Sequence, residues 1–405
     1  MTKYRYIEDY KSLGFGLFIH YGLYSLLGKG EWSRAHWHIP KEEYEALAGK
    51  FTAENLDTDE WAALAKRAGM KYIVLTTRHH EGFSLYDTCG LNTFDSVHSP
   101  CGRDIVREFF DSCRKYDLLP VLYHTTLDWH NPDFFDDFPA YLRYLRESVK
   151  ILCTKYGKIG GFWFDGNWSL PDADWEEDAL YGLIRSYQPE AVIVNNTGLS
   201  ARGETGHPEI DCVTYERGRP QTVPAGRTKP LAGEMCQTVN SHWGVATRDI
   251  NYRPMADILD DLLVCRRSGC NFLLNLAPAA DGAFRGMERG YFDALSVWYD
   301  VYGEVVRNAV YTPEPAYEGH YLIRGRDCAY LAVKGLAVNG DGNVVLADRA
   351  GKDVSFTADF GIRKIEWLDT GEPLTFAQNG NAVELHADNF PYGSDLGVRV
   401  ARISY

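Results

Sequence analysis

The feature that most constrains the fold is a series of short apolar segments that alternate with amphipathic ones over the first three quarters of the chain. The apolar segments are rich in β-branched and other apolar residues, as buried parallel strands are. Helical patterns lie between many of them, and the clearest is TDEWAALAKRA at 58–68. The eight predicted strands are 15–21, 72–77, 119–124, 161–165, 191–195, 211–216, 231–236 and 271–276.

Eight strands that alternate with helices predict an α/β fold of the (β/α)8-like barrel type. The connections at 196–210 and 217–230 are rich in Gly, Pro and Arg and show no helical pattern. We therefore expect the outer ring of helices to be incomplete at these two places. A doubly wound open sheet is the alternative fold.

The sequence pattern changes after about residue 312. Helical periodicity gives way to short alternating runs, such as HYLIRG at 320–325 and KIEWLD at 364–369, with turn residues between them. This pattern predicts an antiparallel β-sandwich. The expected domains are a barrel at 1–311 and a C-terminal β-sandwich at 312–405.

Composition narrows the range of partners and locations. The formal net charge is −14 and Lys and Arg form no continuous block, so neither nucleic acid nor an anionic membrane is an expected partner. The first 14 residues contain no apolar signal-peptide core, and the nine cysteines include no CxxC pair. We expect a cytoplasmic protein, although a secreted chain trimmed of its signal would look the same. The oligomeric state is left open, and a homo-oligomer is allowed.

Polar residues at the ends of the predicted strands locate a candidate site. In parallel barrels the carboxyl ends of the strands meet at one face, and active sites form there. The high aromatic content, 14% with 10 Trp and 26 Tyr, favours a sugar as ligand, because sugars offer both C–H faces and hydroxyl groups. The residues that mark the eight ends are His20, His79, His80, Tyr123, His124, Asp165, Asn195, Asn196, Glu216, Glu234 and Asn275.

Three carboxyl groups at these ends are candidates for acid and base chemistry. Glycoside hydrolysis commonly uses a pair, of which one is ionised and one protonated. Asp165 ends the apolar strand GFWFDG, where a charge must be hydrogen-bonded or functional. A structural role in capping the next loop is the alternative for Asp165. An ion pair with a neighbouring arginine is the alternative for Glu216, and orientation of other site groups is the alternative for Glu234.

The residues offer no recognisable metal or cofactor motif, and a metal-dependent hydrolase is kept as an alternative. The adjacent residues His79 and His80 form neither an HxH nor an HExxH pattern, so one metal ion could not easily bind both. The sequence also lacks a phosphate-binding glycine loop and the GxSxG motif.

Seven motifs, in their order and spacing, resemble glycoside hydrolase family 29, the α-L-fucosidases. The resemblance covers roughly residues 10–310. The motifs are FGLFIHYG at 15–22, GEW at 30–32, YIVLTTRHHEGF at 72–83, LYHTTLDWHNP at 122–132, FWFDG at 162–166, SHWGV at 241–245 and NFLLNLAPAADG at 271–282.

The resemblance implies a barrel followed by a β-sandwich and retaining hydrolysis of terminal α-L-fucose from glycans or oligosaccharides, without a cofactor. Asp165 falls on the position of the family's nucleophile. The positions that resemble the fucose-binding pocket are His20, Glu31, Trp32, His79, His80, Tyr123, His124 and Trp163, and Trp243 and Glu234 are added to this set.

The general acid/base varies across the family, and we expect it to be Glu216, with Glu234 as the alternative. At Glu234 some members carry a Trp-Glu pair, whereas this chain has Gly233 before the glutamate. Thr197 stands where many members carry an arginine, which leaves the linkage preference open. Two other functions remain as alternatives: action on a related sugar such as an α-L-galactoside, and sugar binding without catalysis.

Overall fold

The chain forms two compact units. The computed structural model describes residues 3–220, 222–226, 228–311, 317–345 and 350–405. Contacts assign Met1–Tyr252 and Asn271–Asp293 to the first unit and Arg253–Cys270 and Ala294–Tyr405 to the second. The predicted boundary at Thr312 lies outside the described residues, so the division at 311/312 stays a prediction.

The first unit contains a closed barrel of eight strands in the order β1 to β8, and the strands pair in parallel. This arrangement confirms the predicted barrel and excludes the open doubly wound sheet. The strands are β1 Phe15–Ile19, β2 Tyr72–Arg78, β3 Leu119–Thr125, β4 Gly161–Asp165, β5 Val192–Asn195, β6 Cys212–Thr214, β7 Ala232–Thr238 and β8 Asn271–Asn275.

Helices connect several of the strands. Among the described residues, the α-helices are α1 Arg5–Leu13, α2 Tyr24–Leu27, α3 Ser33–His36, α4 Lys41–Glu45, α5 Thr58–Arg67, α6 Ile105–Lys115, α7 Asp133–Asp136, α8 Phe138–Lys155, α9 Glu177–Tyr187, α10 Met255–Arg267 and α11 Gly286–Asn308. Short 3-10 turns occupy Ala46–Lys50 and Asn167–Ser169. Within the described part of the chain, no helix combines the length and apolarity that a membrane crossing requires.

The ring of helices is incomplete where the sequence predicted it. Residues 196–211, between β5 and β6, contain no helix, and the described residues between β6 and β7 contain none either. The described residues that follow the strand ends carrying Asn196 and Glu216 are therefore irregular. The site is therefore flanked by irregular chain on this side.

Alternation along each strand decides which side chains face the barrel interior. In β4, Trp163 belongs to the cluster that fills the barrel, whereas Phe162 and Phe164 stack on each other and Phe164 contacts Tyr181 of α9. Asp165, the last residue of β4, falls on the inward side again. The same alternation places Tyr123 of β3 inside the barrel.

The second unit includes two antiparallel sheets that enclose a separate apolar core. Their strands are β9 His320–Arg324, β10 Ala329–Lys334, β11 Lys352–Thr357, β12 Lys364–Trp367, β13 Phe376–Asn379, β14 Ala382–Ala387 and β15 Val398–Ser404. One sheet has the order β12-β15-β10-β9 and the other has the order β11-β14-β13, which confirms the predicted sandwich.

Candidate active site

A cavity of about 470 Å³ opens at the carboxyl ends of the barrel strands. Its wall combines aromatic rings, imidazoles and two carboxyl groups, which is the composition expected of a site for a partly polar small molecule. The lining residues are Phe18, His20, Trp32, His79, His80, Tyr123, Trp163, Asp165, Trp168, Asn196, Gly198, Leu199, Ser200, Glu216 and Trp243.

Asp165 is held in one orientation by three donors. Tyr123 donates its hydroxyl to Oδ2 at 3.0 Å, while Trp168 Nε1 and Asn196 Nδ2 donate to Oδ1 at 2.7 and 3.1 Å. The chain can turn away directly after this residue because Gly166 adopts φ +129°, and a Cβ there would lie 2.5 Å from the backbone nitrogen of Leu127. The carboxyl group therefore has a fixed position and remains accessible from the cavity.

Glu216 lies in the turn that follows β6 and lines the cavity beside Asp165. Asn196 Nδ2 donates to Glu216 Oε2 at 2.8 Å as well as to Asp165, so one amide nitrogen bridges the two carboxyl groups. Asp165 Oδ1 and Glu216 Oε2 therefore cannot be farther apart than the sum of these two hydrogen-bond lengths. Burial raises the pKa of Glu216, and the nearby charge of Asp165 raises it further.

The orientation of the Asn196 amide follows from its other contacts. Thr214 Oγ1 donates to Asn196 Oδ1 at 2.9 Å, and the backbone nitrogen of Gly198 approaches the same oxygen at 3.3 Å. Because the oxygen is engaged by two donors, the amide nitrogen must be the atom that faces the carboxyl groups. Asn196 thus supplies an N–H to each member of the pair.

Three buried histidines line the cavity as neutral imidazoles. Burial lowers the pKa of His20 well below its usual value, that of His79 to about 4 and that of His80 to about 3. A neutral imidazole has one donor and one acceptor nitrogen, and its hydrogen-bond partners decide which is which.

The partners of two histidines fix their tautomers. Asn275 donates Nδ2 to the carbonyl of Trp243 at 2.7 Å, which leaves its Oδ1 to accept from His20 Nδ1 at 2.7 Å. Thr125 donates to the carbonyl of Leu127, so its hydroxyl oxygen accepts from His80 Nδ1 at 2.7 Å. In both rings Nε2 is therefore the acceptor, and His80 Nε2 lies 3.5 Å from Asp165 Oδ2.

Aromatic side chains make up much of the remaining wall. Trp32 and Trp168 stack with ring centroids 6.0 Å apart, and Trp163 stacks on Tyr123 at 5.6 Å. Trp243 is positioned by Glu31, whose Oε2 accepts the backbone N–H groups of Trp243 and Gly244 at 3.0 and 2.8 Å. Glu31 itself is not among the lining residues, so it supports the wall from behind.

Glu234 lies inside the barrel, beneath the cavity, and does not line it. Its carboxyl group is fully buried and accepts from Trp163 Nε1 at 2.9 Å, from Tyr10 at 2.7 Å and from Tyr72. Burial raises its pKa. Since Trp163 does line the cavity, Glu234 fixes a wall residue but does not reach the cavity itself.

His124 also does not reach the cavity. It neighbours Tyr123 in β3, and because alternate residues face opposite sides, it points out of the barrel. Its ring contacts Thr77 Oγ1 at 2.9 Å and Ser148 of α8 at 3.0 Å. The predicted substrate-binding role of His124 is not supported by this position.

Sequence reasoning did not assign a role to several lining residues. Asn196 was marked as a polar strand end but was given no function. Trp168 was missed, although it follows Asp165 by three residues, within reach of a 3-10 turn. Phe18, Gly198, Leu199 and Ser200 carry no pattern that distinguishes them from core or loop residues.

Among the described residues, no group of three or more His, Cys, Asp or Glu side chains could hold a metal ion.

Two adjacent carboxyl groups of unlike environment, in an aromatic cavity at the strand ends of a parallel barrel, are the arrangement of a glycoside hydrolase. The family model for α-L-fucosidases matches residues 1–304. The chain therefore belongs to the α-L-fucosidase family, which confirms the resemblance to glycoside hydrolase family 29, and the protein is a glycoside hydrolase.

Individual relatives agree with this assignment. The chain is 29% identical to tissue α-L-fucosidase of Rattus norvegicus over 330 residues, which cover 74% of this chain and 69% of the relative. It is 27% identical to the Homo sapiens tissue enzyme, over 77% of this chain and 73% of that one. The structure of α-L-fucosidase isoenzyme 1 from Paenibacillus thiaminolyticus superposes with a TM-score of 0.83 at 27% identity, covering 100% of this chain and 99% of that chain.

The Asn196 bridge leads to a prediction about the pKa of Glu216. The N–H bond favours the ionised carboxylate, so Asn196→Ala should raise this pKa above its already elevated value. Carbon-13 NMR titration of the glutamate carboxyl groups, with Glu216→Gln to assign the signal, measures the shift. Asn195→Ala is the matched control, because Asn195 donates instead to Tyr181 and Glu177. An unchanged or lowered pKa in Asn196→Ala would contradict the bridge.

The Asn275 contact predicts the tautomer of His20. Nitrogen-15 NMR of the imidazoles should show His20 protonated at Nδ1 in the wild type and a shift toward the Nε2-protonated form in Asn275→Leu. Thr125→Val should produce the same change at His80 and leave His20 unaffected. A wild-type His20 protonated at Nε2 would show that the assigned hydrogen bond is wrong.

Proposed function

We propose that this enzyme is a retaining exo-α-L-fucosidase that releases terminal α-L-fucose from fucosylated oligosaccharides or glycans. The observation that supports this most is the Asn196 amide, which holds Asp165 and Glu216 side by side. Retaining glycosidases keep their two carboxyl groups about 5–5.5 Å apart, whereas inverting enzymes leave about 6.5–9.5 Å for a water molecule. Two oxygens that share one amide nitrogen fit the shorter range.

The first step is attack by Asp165 on the anomeric carbon of the sugar. The bond from this carbon to the leaving oxygen breaks, and Glu216 donates its proton to that oxygen. The raised pKa of Glu216 suits this role, because a general acid must be protonated at the working pH. The product of the step is an ester between Asp165 and the sugar.

The second step is hydrolysis of this ester. Glu216, now ionised, accepts a proton from water as the water oxygen attacks the anomeric carbon and the bond to Asp165 breaks. Two displacements on the same carbon retain the configuration. The sugar leaves and the two carboxyl groups return to their starting states.

The neutral histidines serve to recognise the sugar hydroxyl groups. His20 and His80 present acceptor nitrogens, to which a sugar hydroxyl group can donate its hydrogen. His80 Nε2 lies 3.5 Å from Asp165 Oδ2, so a hydroxyl group that donates to this nitrogen would be held beside the nucleophile. The apolar faces of Phe18, Trp163 and Trp243 suit the C–H face and the methyl group of a deoxysugar.

The proposed roles predict the outcome of chemical rescue on 4-nitrophenyl α-L-fucoside. Asp165→Gly should lose nearly all activity, and azide should restore turnover with inverted β-L-fucosyl azide as product. Glu216→Ala should lose about 10²–10⁴-fold, and azide should restore turnover with retained α-L-fucosyl azide. The two anomers distinguish the two roles, and NMR of the isolated azide identifies them.

Glu234→Gln is the control that separates the two candidate acids. This change disturbs the support of Trp163, so it should lower the rate, but azide should not rescue it. Rescue of Glu234→Gln and not of Glu216→Ala would reverse the assignment. Wild-type turnover of the α-L-galactoside and not of the α-L-fucoside would refute the proposed substrate.

A further inference from the structure

The outer edge of the cavity carries apolar surface that the two-step reaction does not use. Leu199 lines the cavity and is 55% exposed, and Trp168 lines it and is 37% exposed. Single exposed apolar residues are common on protein surfaces. These two side chains, however, both line the cavity that holds the reacting groups.

The loop that carries Leu199 is held in a defined conformation. Thr197 Oγ1 donates to the carbonyl of Ala201 at 2.6 Å, and the nitrogen of Gly203 donates to the carbonyl of Thr214 at 2.9 Å. Gly198 adopts φ +78° and packs against Trp168, since a Cβ there would lie 3.6 Å from the ring. The apolar surface therefore belongs to a part of the cavity wall whose backbone is held by hydrogen bonds and packing.

The same loop is tied to both carboxyl groups. It begins at Asn196, which bridges Asp165 and Glu216, and Arg202 donates Nε to the backbone carbonyl of Glu216 at 2.5 Å. Trp168 donates its ring nitrogen to Asp165. The apolar surface consequently has a fixed position relative to the acid that protonates the leaving oxygen.

The position of this surface determines what it can contact. In the proposed reaction the sugar would occupy the inner part of the cavity, lined by the buried histidines, Tyr123 and Trp163, all less than 4% exposed. The leaving group is attached through the oxygen beside Glu216 and must extend outward past the exposed residues. Of the large apolar side chains that line the cavity, Leu199 and Trp168 are the exposed ones, whereas Trp32 and Trp243 are half-buried.

We propose that Leu199 and Trp168 form a leaving-group subsite that binds the C–H face of the pyranose ring to which the fucose is attached. A pyranose fits because it presents a flat apolar face, and Ser200 next to Leu199 offers a hydroxyl group to its polar edge. This proposal rests on the proposed function. It adds that the leaving group, on the other side of the scissile bond, is a pyranose sugar.

The test compares two substrates that share the fucosyl group. In α-L-fucosyl fluoride the leaving group is too small to reach Leu199, whereas in an α-L-fucosyl disaccharide the second sugar reaches it. The disaccharide is the best-hydrolysed member of a panel with galactose or N-acetylglucosamine as the second sugar. For Leu199→Ser, the ratio of kcat/KM for the disaccharide to kcat/KM for the fluoride should fall about tenfold, as expected for loss of roughly half a buried leucine contact.

Leu170→Ser is the matched control, because Leu170 is also an exposed leucine, at 37%, but does not line the cavity. It should leave the ratio unchanged. An unchanged ratio in Leu199→Ser, or equal losses on both substrates, would overturn the subsite. Wild-type turnover of the fluoride with none of the disaccharides would overturn it as well. Failure of the wild type to turn over even the fluoride would instead refute the proposed function.

Discussion

The site depends on one interaction above the others, the double hydrogen bond from the Asn196 amide to Asp165 and Glu216. Two carboxyl groups this close repel each other when both are ionised, so the pair favours a state with one proton. The amide permits the close approach because it offers an N–H to each group. Its own orientation is set by Thr214 and Gly198, which links the chemistry to the backbone of β5 and β6.

A second layer of polar groups holds the wall of the cavity in place. Glu31 fixes Trp243, Asn275 fixes His20, Thr125 fixes His80 and Glu234 fixes Trp163. Each of these supporting residues is buried or nearly so, where an unsatisfied polar group would be costly. The cost of breaking such contacts gives the wall few alternative conformations, which suits a site that must bind one sugar in one pose.

Much of the architecture could be predicted because barrels place strand ends at a common face. Short apolar segments revealed the eight strands, and the residues that follow them revealed Asp165, Glu216 and the histidines at 20, 79 and 80. The helix-poor connections were visible from composition. These features depend on local sequence, which a single chain displays.

The remaining features depend on the direction in which a side chain points. Where two polar residues are adjacent, a single sequence does not show which of them faces the site. His124 and Tyr123 both stand at the end of β3, yet only Tyr123 faces inward. Asn195 and Asn196 are adjacent asparagines. Only Asn196 reaches the carboxyl groups of Asp165 and Glu216, whereas Asn195 contacts α9. Strand alternation resolves each pair once the register is known.

Three glutamates show why a raised pKa does not by itself identify a catalytic acid. Burial raises the pKa of Glu81 to about 8, and it raises those of Glu216 and Glu234 as well. Glu81 is 1% exposed and Glu234 is fully buried among three donors, so neither can deliver a proton to a group in the cavity. Glu216 alone of the three lines the cavity and has a second carboxyl group beside it. A general acid needs both a suitable pKa and a path to the leaving oxygen, and geometry supplies the criterion that separates the three.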